Sequence, residues 1–179
     1  MKVVKRILLG LLGLLALFLL VALFIKKDFA VEREIVINKP KQEVFAYLKP
    51  LKNQSNWSTF IKKDPNIKMT YQGADGTTGS ISAWDGNSDV GKGEMEIKSI
   101  TEDERIDLEL RFIKPFVSTA PAYFTTEALG DQQTKVKWGM SGRMAYPMNG
   151  MQLFMSMDDA IGTEYQQSLV NLKNLLEQG

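Results

Sequence analysis

The chain of 179 residues contains no cysteine and no histidine, and its 22 basic and 21 acidic side chains leave a formal charge of +1. This composition excludes disulfide frameworks, thiol or imidazole catalysis, and zinc sites built on those ligands. Outside residues 1–28 the chain carries 17 basic and 20 acidic residues. A mildly acidic domain lacks the positive surface that nucleic acid binding requires, so we expect no nucleic acid partner.

Residues 1–28 are predicted to be a membrane anchor. From Ile7 to Ile25 there are 19 consecutive uncharged residues, with basic residues on both sides, and about 20 apolar residues in a helix span a bilayer core. A cleaved signal peptide is the alternative, but its apolar core usually has only about 7 to 15 residues before a small-x-small site. A buried helix of a soluble protein is disfavoured because no polar stripe interrupts the run.

The orientation of this anchor follows from its flanking charges. Lys2, Lys5, Arg6 and the amino-terminal ammonium outnumber Lys26 and Lys27, and positive charge favours the cytoplasmic side. We therefore expect a single-pass protein of the bacterial inner membrane, with residues 29–179 facing the periplasm or the exterior.

Residues 29–179 are predicted to form one domain built on an antiparallel sheet. Its first strand, Phe29 to Asn38, precedes a short helix from Lys41 to Leu48 and a second helix or turn from Leu51 to Trp57. Six further segments alternate apolar and polar residues between turns rich in Gly, Asn and Asp, which is typical of hairpins. They are Ile67 to Gln72, Gly79 to Trp84, Gly93 to Ile100, Arg105 to Phe112, Ala120 to Glu127, and Lys135 to Arg143.

The alternation also predicts a sheet with one buried face and one charged face, whose opposite charges pair across strands. After Pro147 the period changes to helical spacing. The apolar positions are Met148, Met151, Met155, Ile161, Tyr165, Leu169, Leu172 and Leu176. We expect one long terminal helix on the sheet, bent near Gly162, with Asp158 and Asp159 at a helix start.

This order of elements resembles the polyketide cyclase/dehydrase branch of the START/Bet v 1-like (SRPBCC) superfamily. The resemblance covers about residues 31 to 178 and lies in the segments Ile35 to Phe45, Trp57-Ser58, Gly79 to Trp84, Gly91 to Ile97, Phe112 to Phe116, Val136 to Trp138, Ile161-Gly162 and Leu169 to Lys173. It implies an α+β helix-grip fold, in which a seven-stranded antiparallel sheet wraps around a long C-terminal helix. It also implies a cavity between sheet and helix, which members use for sterols, lipids, hormones or polyketides; no cofactor is implied.

The residues expected at this cavity and its mouth are rich in methionine and aromatic side chains. Methionine is flexible and polarizable, so such a lining adapts to different apolar molecules. Arg143 is the candidate cation for a carboxylate ligand, the alternative being an ordinary surface cation. For each apolar residue, simple core packing is the commoner role. The candidate ligand-binding residues are Trp57, Met95, Leu108, Leu110, Phe112, Tyr123, Trp138, Met140, Arg143, Tyr146, Met151 and Met155.

The sequence thus favours a membrane-anchored binding domain for a small hydrophobic or amphipathic, lipid-like ligand. One alternative is an enzyme of the cyclase, dehydratase or hydrolase type, which would require Asp85, Tyr123 or Glu127 deep in the cavity. A second alternative is a structural or partner-binding envelope domain, which would combine a filled interior with an exposed apolar patch.

Overall fold

A seven-stranded antiparallel sheet follows an amino-terminal helix in the computed structural model, which describes residues 2–178. The helices are α1 (Lys2–Ala22), α2 (Lys41–Leu48), α3 (Gln54–Trp57), α4 (Thr59–Lys62) and α5 (Met157–Gln178), with 3-10 turns at Leu51–Asn53 and Met148–Leu153. The strands are β1 (Asp28–Ile37), β2 (Lys68–Gln72), β3 (Ile81–Asp85), β4 (Lys92–Thr101), β5 (Arg105–Lys114), β6 (Ser118–Gly130) and β7 (Gln133–Arg143). The predicted helix-grip architecture is confirmed.

The strand order is β1-β7-β6-β5-β4-β3-β2, so the first and last strands of the chain are neighbours. Asp28, the first residue of β1, pairs with Arg143 at the end of β7. The last two residues of β5 and the turn that leads into β6, residues 113–117, are together called the β5–β6 connection; it lies at the same end because β6 runs antiparallel to β7. Since α1 joins the domain here, this end is called the α1 end of the sheet.

The two faces of the sheet differ as the alternation predicts. On β5, Ile106 and Leu108 are buried on the inner face. On the outer face, Arg111 binds the carboxylates of Glu94, Glu96 and Glu109 at 2.6, 2.6 and 2.5 Å. One guanidinium thus joins β4 and β5, which stabilises their register.

Helix α5 is continuous through Gly162, so the helix is not interrupted at that residue. The interruption instead falls between the 3-10 turn Met148–Leu153 and Met157, and Asp158 and Asp159 occupy the first turn of α5. Gly162 has a different role: a Cβ atom there would overlap the guanidinium of Arg33 in β1. A glycine at this position lets the helix pass directly over the arginine.

Aromatic side chains fill the interior between α5 and the sheet. Trp138 stacks on Tyr165 of α5 with ring centroids 3.7 Å apart, and Trp57 meets Trp138 edge-on at 5.4 Å. Phe124 and Phe60 pack against the same tryptophan. This part of the interior is therefore a packed core.

Candidate ligand-binding site

Part of the inner face of the sheet is less deeply buried toward the α1 end. On β5, Leu108 is buried whereas Leu110 and Phe112 are half-buried, and Trp84 of β3 is half-buried beside them. Met95, Ala120 and Met140, on the same face nearby, are buried with exposed fractions of 8%, 4% and 6%. We call these six residues, Trp84, Met95, Leu110, Phe112, Ala120 and Met140, the apolar floor.

The apolar floor is accessible because the helices cover other parts of the sheet. Helix α5 packs chiefly on β1, and α2 packs on β6 and β7. At the end opposite α1, the hydroxyl of Thr126 on β6 donates to the carbonyl of Asp103, and the hydroxyl of Thr134 on β7 donates to the carbonyl of Lys39. The region of β3 to β6 nearest α1 is thus left with half-buried apolar side chains.

Trp84 forms one border of the floor. Its ring lies over Gly93, where a Cβ atom would approach it to 2.5 Å, and it meets Phe112 edge-on with centroids 6.1 Å apart. Its half-buried position on the inner face places it beside the candidate site.

The twelve candidate residues fall into four groups. Trp57, Leu108 and Trp138 belong to the packed core, and Trp57 is fully buried, not at a mouth as expected. Met95, Leu110, Phe112 and Met140 belong to the apolar floor. Tyr146, Met151 and Met155 are exposed near the end of α1, and Tyr123 and Arg143 do not face the interior.

Tyr123 is a correction to the sequence analysis. It lies on the outer face of the sheet, over Gly139, where a Cβ atom would overlap its ring. Its hydroxyl donates a hydrogen bond to Glu32, and this bond raises the pKa of the tyrosine and lowers the pKa of the carboxyl. Strand parity decides the placement, because Ala122 and Phe124 take the inward positions.

Arg143 is a second correction. It has the outward parity of β7, and its guanidinium lies 3.5 Å from Asp28 with two thirds of its side chain exposed. It borders an open depression of about 350 Å³ on the outer face. A larger depression of about 480 Å³, on the solvent side of α5, is lined by polar residues such as Asn56, Asn171 and Asn174.

The methionines 148, 151 and 155 do not form a stripe on the terminal helix. Met148 and Met151 belong to the 3-10 turn before α5, and Met155 follows that turn. Their exposed fractions are 43%, 40% and 47%. The helical spacing of these methionines correctly indicates local turns of the chain. Those turns pack against α1 rather than the sheet.

Polar groups lie next to the apolar floor. The amide nitrogen of Gln54, a buried residue of α3, is 3.9 Å from the sulfur of Met95. Ser82 is buried on β3 and is the register partner of the same methionine.

The indole nitrogen of Trp57 and the hydroxyl of Ser80 are buried without a hydrogen-bond partner among residues 2–178. Neither Gln54 nor Ser82 is among the residues predicted from the sequence, although alternation along β3 puts Ser82 on the same face as Trp84.

The carboxylates that an enzyme would need lie outside the interior. Asp85 and Glu127 are exposed, and hydrogen bonds from Lys92 and Lys135 lower the pKa of each carboxyl. Within residues 2–178, Asp64 is the one buried carboxylate. Both of its oxygens accept backbone N–H groups, from Asn66 and Asn87, so it holds two loops together.

Comparison with known proteins identifies the fold. No protein-family model and no curated protein matches the chain. Among solved structures, it is similar to a point mutant of norcoclaurine synthase from Thalictrum flavum in complex with a transition state analogue (8% identity, TM-score 0.63, covering 84% of this chain and 95% of that one). It is also similar to the Aha1 dimer from Colwellia psychrerythraea (14% identity, TM-score 0.57, 83% and 96%).

A third similar structure is Ara h 8.0201 (12% identity, TM-score 0.57, covering 85% of this chain and 99% of that one). These likenesses confirm the helix-grip fold that the resemblance implied. At such low identity the fold is what they establish, and the function has to be argued from the site itself.

Proposed function

We propose that this protein is a membrane-tethered domain that binds a small apolar or amphipathic molecule on the apolar floor. The accessibility of the inner face toward the α1 end carries this proposal. Trp84, Leu110 and Phe112 stay half-buried where α5 and α2 do not cover them. Each buried methylene of a ligand would contribute about 0.8 kcal/mol there.

The polar groups beside the floor favour an amphipathic ligand. The amide of Gln54 has a thioether sulfur as its neighbour, which is a weak acceptor. A carbonyl or hydroxyl group of a ligand would be a better partner, and Ser82 lies across the strand pair from the same methionine. The ligand's apolar part would then rest on Leu110 and Phe112.

The tether in this proposal is α1. The helix has 21 residues, is apolar, and has none of its candidate span buried in the domain. A cleaved signal sequence has similar composition, but here the domain contacts the end of the helix: Asn149 donates to the carbonyls of Ala22 and Ile25 at 2.6 and 2.9 Å. Cleavage would leave this buried asparagine without those partners, which supports retention of α1. The flanking charges favour a domain on the periplasmic or outer side.

Photocrosslinking tests the ligand site. The full chain, extracted with its own lipids into nanodiscs, is exposed to a diazirine derivative of palmitic acid, and the adducts are mapped by mass spectrometry. We expect adducts on the apolar floor that excess unlabelled palmitic acid removes. The same spectra report the intact mass, and therefore whether residues 1–28 are retained.

Two matched variants sharpen this test. Leu110→Asp places a charge on the floor and should abolish the floor adducts, whereas Leu129→Asp changes an exposed leucine at the opposite end of the sheet and should leave them unchanged. Two results with the parent chain alone would contradict the proposal. One is that the adducts are confined to α1, and the other is that excess unlabelled palmitic acid does not reduce them.

A further inference from the structure

Two separate segments expose large apolar side chains at the α1 end. The β5–β6 connection exposes Ile113, Phe116 and Val117, the last two by 70% and 87%. The segment of residues 146–155 exposes Tyr146, Met148, Met151, Leu153, Phe154 and Met155, with Phe154 at 82%. Exposed apolar groups of this size on two segments at the same end of the sheet indicate an interaction surface.

The contacts of the second segment set its depth relative to α1. A Cβ atom on Gly150 would meet the ring of Phe18 at 2.6 Å and the methyl group of Ala22 at 3.1 Å. Phe18 lies four residues before Ala22, the last residue of α1, which corresponds to about 6 Å along the helix, and the apolar run continues beyond the helix to Ile25. A bilayer that covers the apolar run up to Ile25 must therefore also surround Gly150 and its neighbours.

Hydrogen bonds join this segment to the end of α1. The last carbonyls of a helix have no partner within the helix, and in hydrocarbon an unpaired carbonyl is costly. Asn149 is fully buried and donates to Ala22 and Ile25, while Gln152 donates to the carbonyl of Lys26 at 3.0 Å. The segment thus supplies donors to carbonyls at and just after the end of α1, one of them through a buried contact.

Basic residues border the exposed apolar surface. Lys26 follows the apolar run, and Lys114 lies in the β5–β6 connection beside Phe116. Lysine side chains at the edge of a hydrocarbon layer extend toward the headgroups. This arrangement of an apolar surface with lysines at its border fits a phospholipid bilayer.

We propose that residues 146–155 and 113–117 form a foot that inserts into the lipid bilayer beside α1, so that the apolar floor opens toward the hydrocarbon instead of water. The partner is the lipid itself. The inference rests on the proposed function in one respect, namely that α1 spans the membrane. Lipid around the foot would let an apolar ligand reach Phe112 and Leu110 without crossing water.

Single spin labels test this geometry, since the chain has no cysteine of its own. The substitutions Phe154→Cys, Val117→Cys, Leu14→Cys and Leu129→Cys each place one nitroxide at an exposed site of the full chain, which is reconstituted in phosphatidylcholine and phosphatidylglycerol vesicles. Collision rates with oxygen and with a water-soluble nickel chelate report lipid and water, respectively. We expect labels 14, 117 and 154 to favour oxygen and label 129 to favour the chelate.

The label positions separate the two possible failures. If label 14 reports hydrocarbon while labels 117 and 154 report water, the foot is wrong and the anchor stands. If label 14 also reports water, both the anchor and the foot are overturned. Spin–spin broadening at 117 or 154 without oxygen preference would mean that a second copy of the chain covers the surface, which also contradicts insertion into lipid.

Discussion

Arg33 in β1 binds both carboxylate oxygens of Asp158 at the start of α5, with N–O distances of 2.8 and 2.9 Å. The guanidinium passes beneath Gly162, and the register partner of Arg33 on β7 is Trp138. The hydrogen bond from Arg33 lowers the pKa of the Asp158 carboxyl. This pair fixes where α5 begins on the sheet.

Substitution Gly162→Ala should destabilise the protein, because the added methyl group overlaps the Arg33 guanidinium. Overpacking of this kind costs about 1–3 kcal/mol. Equilibrium denaturation of the full chain in detergent, followed by tryptophan fluorescence, measures the loss in the free energy of unfolding.

The same substitution in an Arg33→Ala background is the control. Without the guanidinium, alanine is the better helix former, so Gly162→Ala should there be neutral or stabilising by up to about 1 kcal/mol. An equal loss in both backgrounds would show that the arginine is not what makes glycine necessary.

Arg111→Met should make stability depend on pH in a defined direction. The hydrogen bond from Arg111 lowers the pKa of Glu96 below its ordinary value of 4.5, so this interaction stabilises the fold above that pH and is lost as the carboxylate protonates. Without the arginine, Glu94, Glu96 and Glu109 repel one another. The deficit relative to the parent chain should be largest near pH 7 and smaller at pH 4, as measured by thermal unfolding.

A comparison with Arg105→Met controls for loss of any outer-face cation. Arg105 binds one carboxylate, that of Asp107, at 2.7 Å, so its removal should give a much weaker pH dependence. The interpretation of the three-carboxylate cluster would be wrong if the two variants had the same profile.

Tyr165→Phe should reduce the alkaline sensitivity of the fold. Burial against Trp138 raises the pKa of Tyr165 above its ordinary value of 10.0. The unfolded chain therefore releases this proton at a lower pH than the folded chain, and stability falls above pH 10 by about 1.4 kcal/mol per pH unit. Denaturation at pH 9 to 11 should show a shallower decline for Tyr165→Phe; an unchanged slope would contradict the shift.

Asn149→Leu should loosen the contact between the 3-10 turn and α1. The leucine keeps the size of the side chain but removes both donors to Ala22 and Ile25, and a buried carbonyl left unpaired costs about 1–3 kcal/mol. Amide hydrogen exchange of residues 148–156 should become faster. Gln152→Leu, which removes one exposed hydrogen bond, should have a smaller effect; equal effects would argue against a special role of Asn149.

The sheet and its two faces could be predicted from local patterns. The seven strands agree with the predicted segments to within a few residues, since alternation and turn residues act over short distances. The prediction that Tyr123 faces the interior was wrong because residues along a strand alternate between the two faces, and its neighbours point inward. The terminal helix was predicted too long because helical spacing was extended across residues 154–156, which separate the 3-10 turn from α5. Of the candidate ligand-binding residues, Met95, Leu110, Phe112 and Met140 lie on the apolar floor, and their role in binding stays a prediction; Gln54 carries no sequence signal that points to it.

The amino-acid sequence by itself determined the apolar run of α1, the order of the strands along the chain and which side chains share a face, because these depend on neighbours a few residues away. The tertiary structure alone decided that Arg33 meets Asp158, 125 positions later, and that Asn149 meets the end of α1, 127 positions earlier. It also decided which part of the inner face stays uncovered. Periodicity defines the buried side of an element, whereas the packing of distant elements determines what covers that side.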